Sequence, residues 1–206
     1  MRVRVLGVVG IAAAAAVLVL GAGAAAAPAA GKGAVCPAAW KAGWIKLAQK
    51  IDAPVYCPTW MPNPLDAKIG GQWQDIYSIG TDRSYLVSFL AHGDLGSGDV
   101  HVNFRGYPGR TTVPKCATVA IEGNRVVRGT VNCFADPRGT LRVGNILATV
   151  YTVNQDADQW HVLYAWHHAG SLYTVSEHVI PPYTYAQVTR NLKKLMHSLV
   201  LVEPAQ

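Results

Sequence analysis

From Gly71 to Ile180 the chain reads as one strand-like run after another, joined by short turns, with no helical periodicity in between. The runs are "GQWQDIYSI", "SYLVSFLAH", "DVHVNFRG", two runs around Gly123-Asn124, "LRVGNILATVYTV", "WHVLYAWHH" and "LYTVSEHVI". Parallel strands need long crossovers, and these connections are too short for them. The sheet is therefore expected to be antiparallel and largely a meander of seven or eight strands.

Helical spacing appears only outside this block. In "PAAWKAGWIKLAQKI", Trp40, Trp44, Leu47, Ala48 and Ile51 recur on one side, with Lys41, Lys46 and Lys50 opposite. A Pro-rich connector, "DAPVYCPTWMPNPLDAKIGG", follows. Near the C-terminus, Thr184 and Gln187 have the spacing of a capping box. Val188, Leu192, Leu195, Met196 and Leu199 then form an apolar stripe. The expected fold class is α+β, a twisted antiparallel sheet with a helix from each end of the chain packed on it.

The N-terminus has the physics of an export signal. Arg2 and Arg4 precede an uncharged apolar run, Val5 to Leu20, and small residues follow with A-x-A sites ending at Ala26 and Ala29. This divides the chain into a signal peptide, 1–29, and one exported domain, 30–206, of ordinary single-domain size. An uncleaved membrane anchor is the rival reading, because the run is nearly long enough to span. Val35 before Cys36 departs from the lipid-attachment pattern, and Arg2 and Arg4 are not adjacent as a twin-arginine signal requires. Losing the two arginines lowers the formal net charge from +6 to +4. The longest basic run is Lys193-Lys194, so a nucleic-acid partner is not expected.

Four cysteines remain, Cys36, Cys57, Cys116 and Cys133, and four allow three pairings. Between the first two lie a helix of about 20 Å and an extended return of about the same reach. The last two flank a hairpin centred on Gly123-Asn124. Both arguments favour Cys36–Cys57 and Cys116–Cys133, in a compartment where disulfides persist. Zinc ligation is the alternative, although C-x-x-C spacing is absent.

Four of the seven histidines fall in "WHVLYAWHHAGSLYTVSEHV". With Ala169-Gly170 as a two-residue turn, Trp166 faces Tyr173, Tyr164 faces Val175, Val162 faces Glu177 and Trp160 lies near Val179, making a core side. Alternation puts His161 opposite His178 on the other, less apolar side, where they are expected to be half-exposed. His167 lies about 20 Å from His161 along the strand and is excluded from that pair. His161 and His178 are metal candidates only if a carboxylate or third histidine joins them. Asp94 and Asp99, in the Gly-rich loop "HGDLGSGDVH", carry oxygen ligands that suit calcium. Asp156 and Asp158 read as a solvated hairpin tip. Neither G-x-S-x-G nor H-E-x-x-H occurs, nor a phosphate-cradling Gly-rich loop. No metal, cofactor or catalytic residue is expected from these patterns.

The segments "LYAWHHAGSLYTVSEHV" and "TYAQVTRNLKKLMHSL", with "PVYCPTWMP" before them, are similar to bacterial envelope domains. The resemblance is to domains of unknown function in sporulation and anti-sigma-factor-associated lipoproteins, of the half-barrel lipoprotein-carrier type. It rests on Trp166, the Gly170 turn, Tyr173, Ser176 and the amphipathic helix, about 60 residues in all. The chain departs from that type in lacking a lipid-attachment cysteine and in its expected disulfides. The resemblance implies a curved sheet that holds an apolar ligand or meets a partner, and it implies no catalysis. The functional expectation is thus a non-catalytic exported envelope domain that binds an apolar ligand or protein partner on its sheet. A structural domain without a cleft and a secreted hydrolase are the alternatives. Membrane contact is expected only if the N-terminal segment stays uncleaved.

Overall fold

The first helix, α1 (Ala38–Ile51), turns its aromatic stripe inward, as its spacing requires: Trp40, Trp44, Leu47, Ala48 and Ile51 are all buried. It ends at Asp52, which adopts the left-handed conformation and returns its N–H to the carbonyls of Ala48 and Gln49. The computed structural model describes residues 34–65, 79–91, 100–152 and 160–204. The signal region and residues 71–78 of the first expected strand lie outside the described residues.

After α1 come β1 (Val55–Pro58), β2 (Tyr85–Ala91), β3 (Val100–Tyr107), β4 (Lys115–Glu122) and β5 (Arg125–Asn132). Then follow β6 (Pro137–Val143), β7 (Ile146–Thr152), β8 (His161–His168), β9 (Ser171–His178), α2 (Tyr185–His197) and β10 (Leu199–Val202). The α+β class read from the sequence holds, and every strand pairing is antiparallel. The strands divide among three sheets: six in the order β2-β3-β9-β8-β7-β6, the pair β1-β10, and the pair β4-β5. The order departs from a meander at β3–β9, because the β4–β5 hairpin leaves the sheet. A second departure is local. The run "LRVGNILATVYTV" is two strands, since Gly144, at φ 55°, turns the chain between β6 and β7.

Both cysteine pairs form as the spacing predicts, Cys36–Cys57 and Cys116–Cys133, and no described cysteine is free. Disulfides are consistent with an extracytoplasmic protein. Thr184 and Gln187 make the reciprocal capping box at the start of α2.

Both helices pack on one face of the six-stranded sheet. Trp40 meets Phe89 and Trp44 meets Phe104, each edge to face. On the same face Gly106 lies under the ring of Tyr85; a β-carbon there would sit 2.2 Å from Tyr85 Cε1. Tyr85 is itself buried and has nowhere to retreat. Gly106→Ala is therefore expected to cost about 1–3 kcal/mol by overpacking, read from a denaturant melt. An unchanged midpoint would show that the Tyr85 ring can move aside.

The opposite face differs from the sequence expectation. It is not a half-exposed polar surface, since Leu163, Ala165 and Leu172 pack there with Cys133 and Phe134. The chain leaving the β4–β5 hairpin covers it. Strand β8 from His161 to Trp166 and β9 from Ser171 to Glu177 are buried on both sides.

Candidate functional site

The β8–β9 register is the one read from the turn: Trp166 pairs with Tyr173, Val162 with Glu177, and His161 with His178. The third partner comes from β3. Its ladder with β9, Val102 to Glu177, carries His101 to the same end of the sheet. The rings of His101, His161 and His178 lie 4.6, 4.8 and 4.9 Å apart, with those of His161 and His178 stacked at 9°. His161 is only 4% exposed. The half-exposed pair expected from the sequence is thus a three-histidine cluster with a buried member. His167 stands apart, at 2.9 Å from the carbonyl oxygen of Thr111.

The Nε2 atoms of His101 and His161 are 2.8 Å apart. At that distance one nitrogen donates its proton and the other accepts with its lone pair. Which nitrogen donates depends on the tautomers of the two rings. Among the described residues no three His, Cys, Asp or Glu side chains are arranged to hold a metal ion. Titrating zinc into the wild type and into His178→Ala is expected to give equal, negligible heats at neutral pH. Tight one-to-one binding lost in the variant would overturn this reading. Asp94, Asp99, Asp156 and Asp158 lie outside the described residues.

Ser176 and Thr174 continue the histidine face along β9, and both hydroxyls are buried without a hydrogen-bond partner. A nucleophilic serine needs a base within hydrogen-bond reach. Ser176 Oγ makes no such bond.

Glu177, one residue away, points to the opposite, helix-covered face and is completely buried. Asn191 of α2 donates to its Oε1 at 2.7 Å, while Oε2 has no partner. Burial pushes the carboxyl up to about 8, against the smaller opposing effect of the Asn191 bond. At neutral pH Glu177 is chiefly a neutral acid. Sequence reasoning placed it on the core side but gave it no role; an acid flanked by Val175 and facing Val162 in an apolar ladder was the available signal.

A cleft of about 350 Å³ opens at the other end of the sheet. Its aromatic wall is Tyr56 and Trp166, whose rings meet edge to face at 5.2 Å. Ile146 at the start of β7 and Leu199 and Leu201 from β10 add aliphatic surface. His168, His197 and Asn145 bring polar groups to it, and His168 also meets the Tyr56 ring edge-on at 5.8 Å. Trp166 and His168 are legible in the sequence as residues of β8, but the cleft is not. Tyr56 and Leu201 come from opposite ends of the chain and meet only because β1 pairs with β10. A second hollow, of about 320 Å³, follows the turn after β3 between Asp82 and Thr112, and it is lined mainly by polar and backbone groups.

Compared with known proteins, the chain matches no family model, no curated protein and no solved structure.

Proposed function

We propose that this is an exported, non-catalytic binding domain of the bacterial envelope, and that its cleft takes an apolar or aromatic group with a polar edge. The observation that carries the reading is the cleft itself. Its volume falls in the range of small-molecule sites, its wall is aromatic and aliphatic, and a few polar groups stand where they can orient a ligand. Export rests on the N-terminal segment and accords with the disulfides. The runner-up, a structural domain without a ligand, has the largely filled sheet faces in its favour but leaves the cleft unexplained.

An environment-sensitive naphthalene sulfonate dye serves as the probe, with tryptophan quenching as a second readout. Saturable binding is expected, weakened at least tenfold by Ile146→Asp, which puts a charge on the aliphatic wall at the first residue of β7; because Ile146 also packs against the main core, a urea melt of the variant checks that it stays folded. Native mass spectrometry of freshly purified protein should show a co-purified small molecule that the variant lacks. Equal dye binding by both proteins, with no adduct in either, would transfer the proposal to the structural reading.

A further inference from the structure

The β4–β5 hairpin stands away from the other two sheets as a two-stranded ribbon, with nearly every residue exposed. Isolated two-stranded ribbons are marginal in water. This one is stapled at its base by Cys116–Cys133 and closed at its tip by Gly123, in the left-handed region at φ 59°.

Register divides the ribbon into two chemically different faces. Ile121 pairs with Val126, Val119 with Arg128 and Lys115 with Asn132, so these side chains share one face. Ile121, Val126 and Val119 there are 78, 63 and 58% exposed. Scattered single apolar residues on a surface are ordinary; here three branched ones share one face of the ribbon. The ribbon's one acid, Glu122, is on the other face, opposite Arg125. The apolar face therefore carries two cations, Lys115 and Arg128, and no anion.

We infer that this face docks on an anionic lipid surface, the aliphatic tip entering the headgroup boundary while Arg128 and Lys115 meet the phosphates. Charge complementarity selects this occupant. A second copy of this face would bring two more cations and no anion to the contact. An anionic bilayer accepts both the apolar and the cationic parts of one small surface. Among the described residues no helix is long and apolar enough to cross a membrane, so within them contact would be peripheral. The ribbon gives the chain a membrane contact independent of whether its N-terminal segment is cleaved.

The test is co-sedimentation of the full chain with vesicles of phosphatidylcholine and phosphatidylglycerol in a two-to-one ratio, and with pure phosphatidylcholine. All comparisons are between variants of the same chain, so the N-terminal segment contributes equally to each. Ile121→Ser/Val126→Ser and Arg128→Glu should each weaken partition onto the anionic vesicles at least tenfold, and raised salt should weaken the wild type. The dye binding of the cleft should be unchanged in both variants, which separates this proposal from the preceding one. Equal partition of wild type and variants would overturn it. A salt-resistant dimer, seen by sedimentation velocity and lost in the serine variant, would assign the face to a second copy instead.

Discussion

Glu177→Gln is expected to leave stability unchanged near pH 4 and to raise it by roughly 3–5 kcal/mol at pH 8. The carboxyl holds its proton up to about pH 8 when folded, against an ordinary value of 4.5. Between those values the folded protein keeps a proton that the unfolded chain has released. Stability is therefore greatest below the unfolded value and falls as pH rises toward 8. The buried carboxyl, one oxygen without a partner, either stays neutral or ionises without a counter-charge. A glutamine keeps the acceptor for Asn191 and removes the titration. Other groups contribute their own pH slopes, so the measurement is the difference between the two proteins in urea melts across pH 4–9. A constant difference would mean that Glu177 finds a cation or water in the folded state.

Removing the first disulfide, by Cys36→Ala/Cys57→Ala, should cost about 3 kcal/mol in global stability from loop closure alone. Both sulfurs lie within the main core, and Cys57 is wholly buried in β1. The bridge ties the start of α1 to the strand on which β10 zips. Cys116→Ala/Cys133→Ala should behave differently. Its loop encloses only the ribbon, so amide exchange along Lys115–Asn132 should accelerate strongly. The melting midpoint should move less, by the packing of Cys133 against Phe134 and Leu163. Equal shifts in midpoint would mean that the ribbon unfolds together with the sheet.

How far the fold was legible follows from the range of the interactions that make it. The cap at Thr184, the stripe from Trp40 to Ile51, the Ala169-Gly170 turn and both disulfides depend on neighbours within about twenty residues, and all were readable. The His161–His178 pairing followed from turn length alone, because a two-residue loop fixes register. His101 was not readable as the third member. It lies 60 residues from His161 and reaches it only because β3 pairs with β9. The burial of the histidine face was missed for a similar reason. Alternation says which side chains share a face, but not that the chain around Phe134 will fold over it. The cleft is the extreme case, since its wall needs Tyr56 and Leu201 together. In the run from Leu141 to Val153, strong β-propensity on both sides hid the Gly144-Asn145 turn. Gly144 was the signal that could have divided it.

The pairing of β1 with β10 has a consequence for assembly order. Val55 finds its ladder partner in Val202, 147 residues later. A chain that emerges from a pore N-terminus first can close the Cys36–Cys57 loop early, because those residues are near in sequence. It cannot seat β1 until β10, the last strand among the described residues, has cleared. Contacts of such separation slow folding, because so much chain must be ordered before they repay the entropy of closing the loop. For an exported chain such a delay would be useful, since a domain that cannot latch before β10 arrives stays loose enough to be threaded. Once β10 is free, the first and last strands clasp, and one event completes both the core beneath α1 and the wall of the cleft.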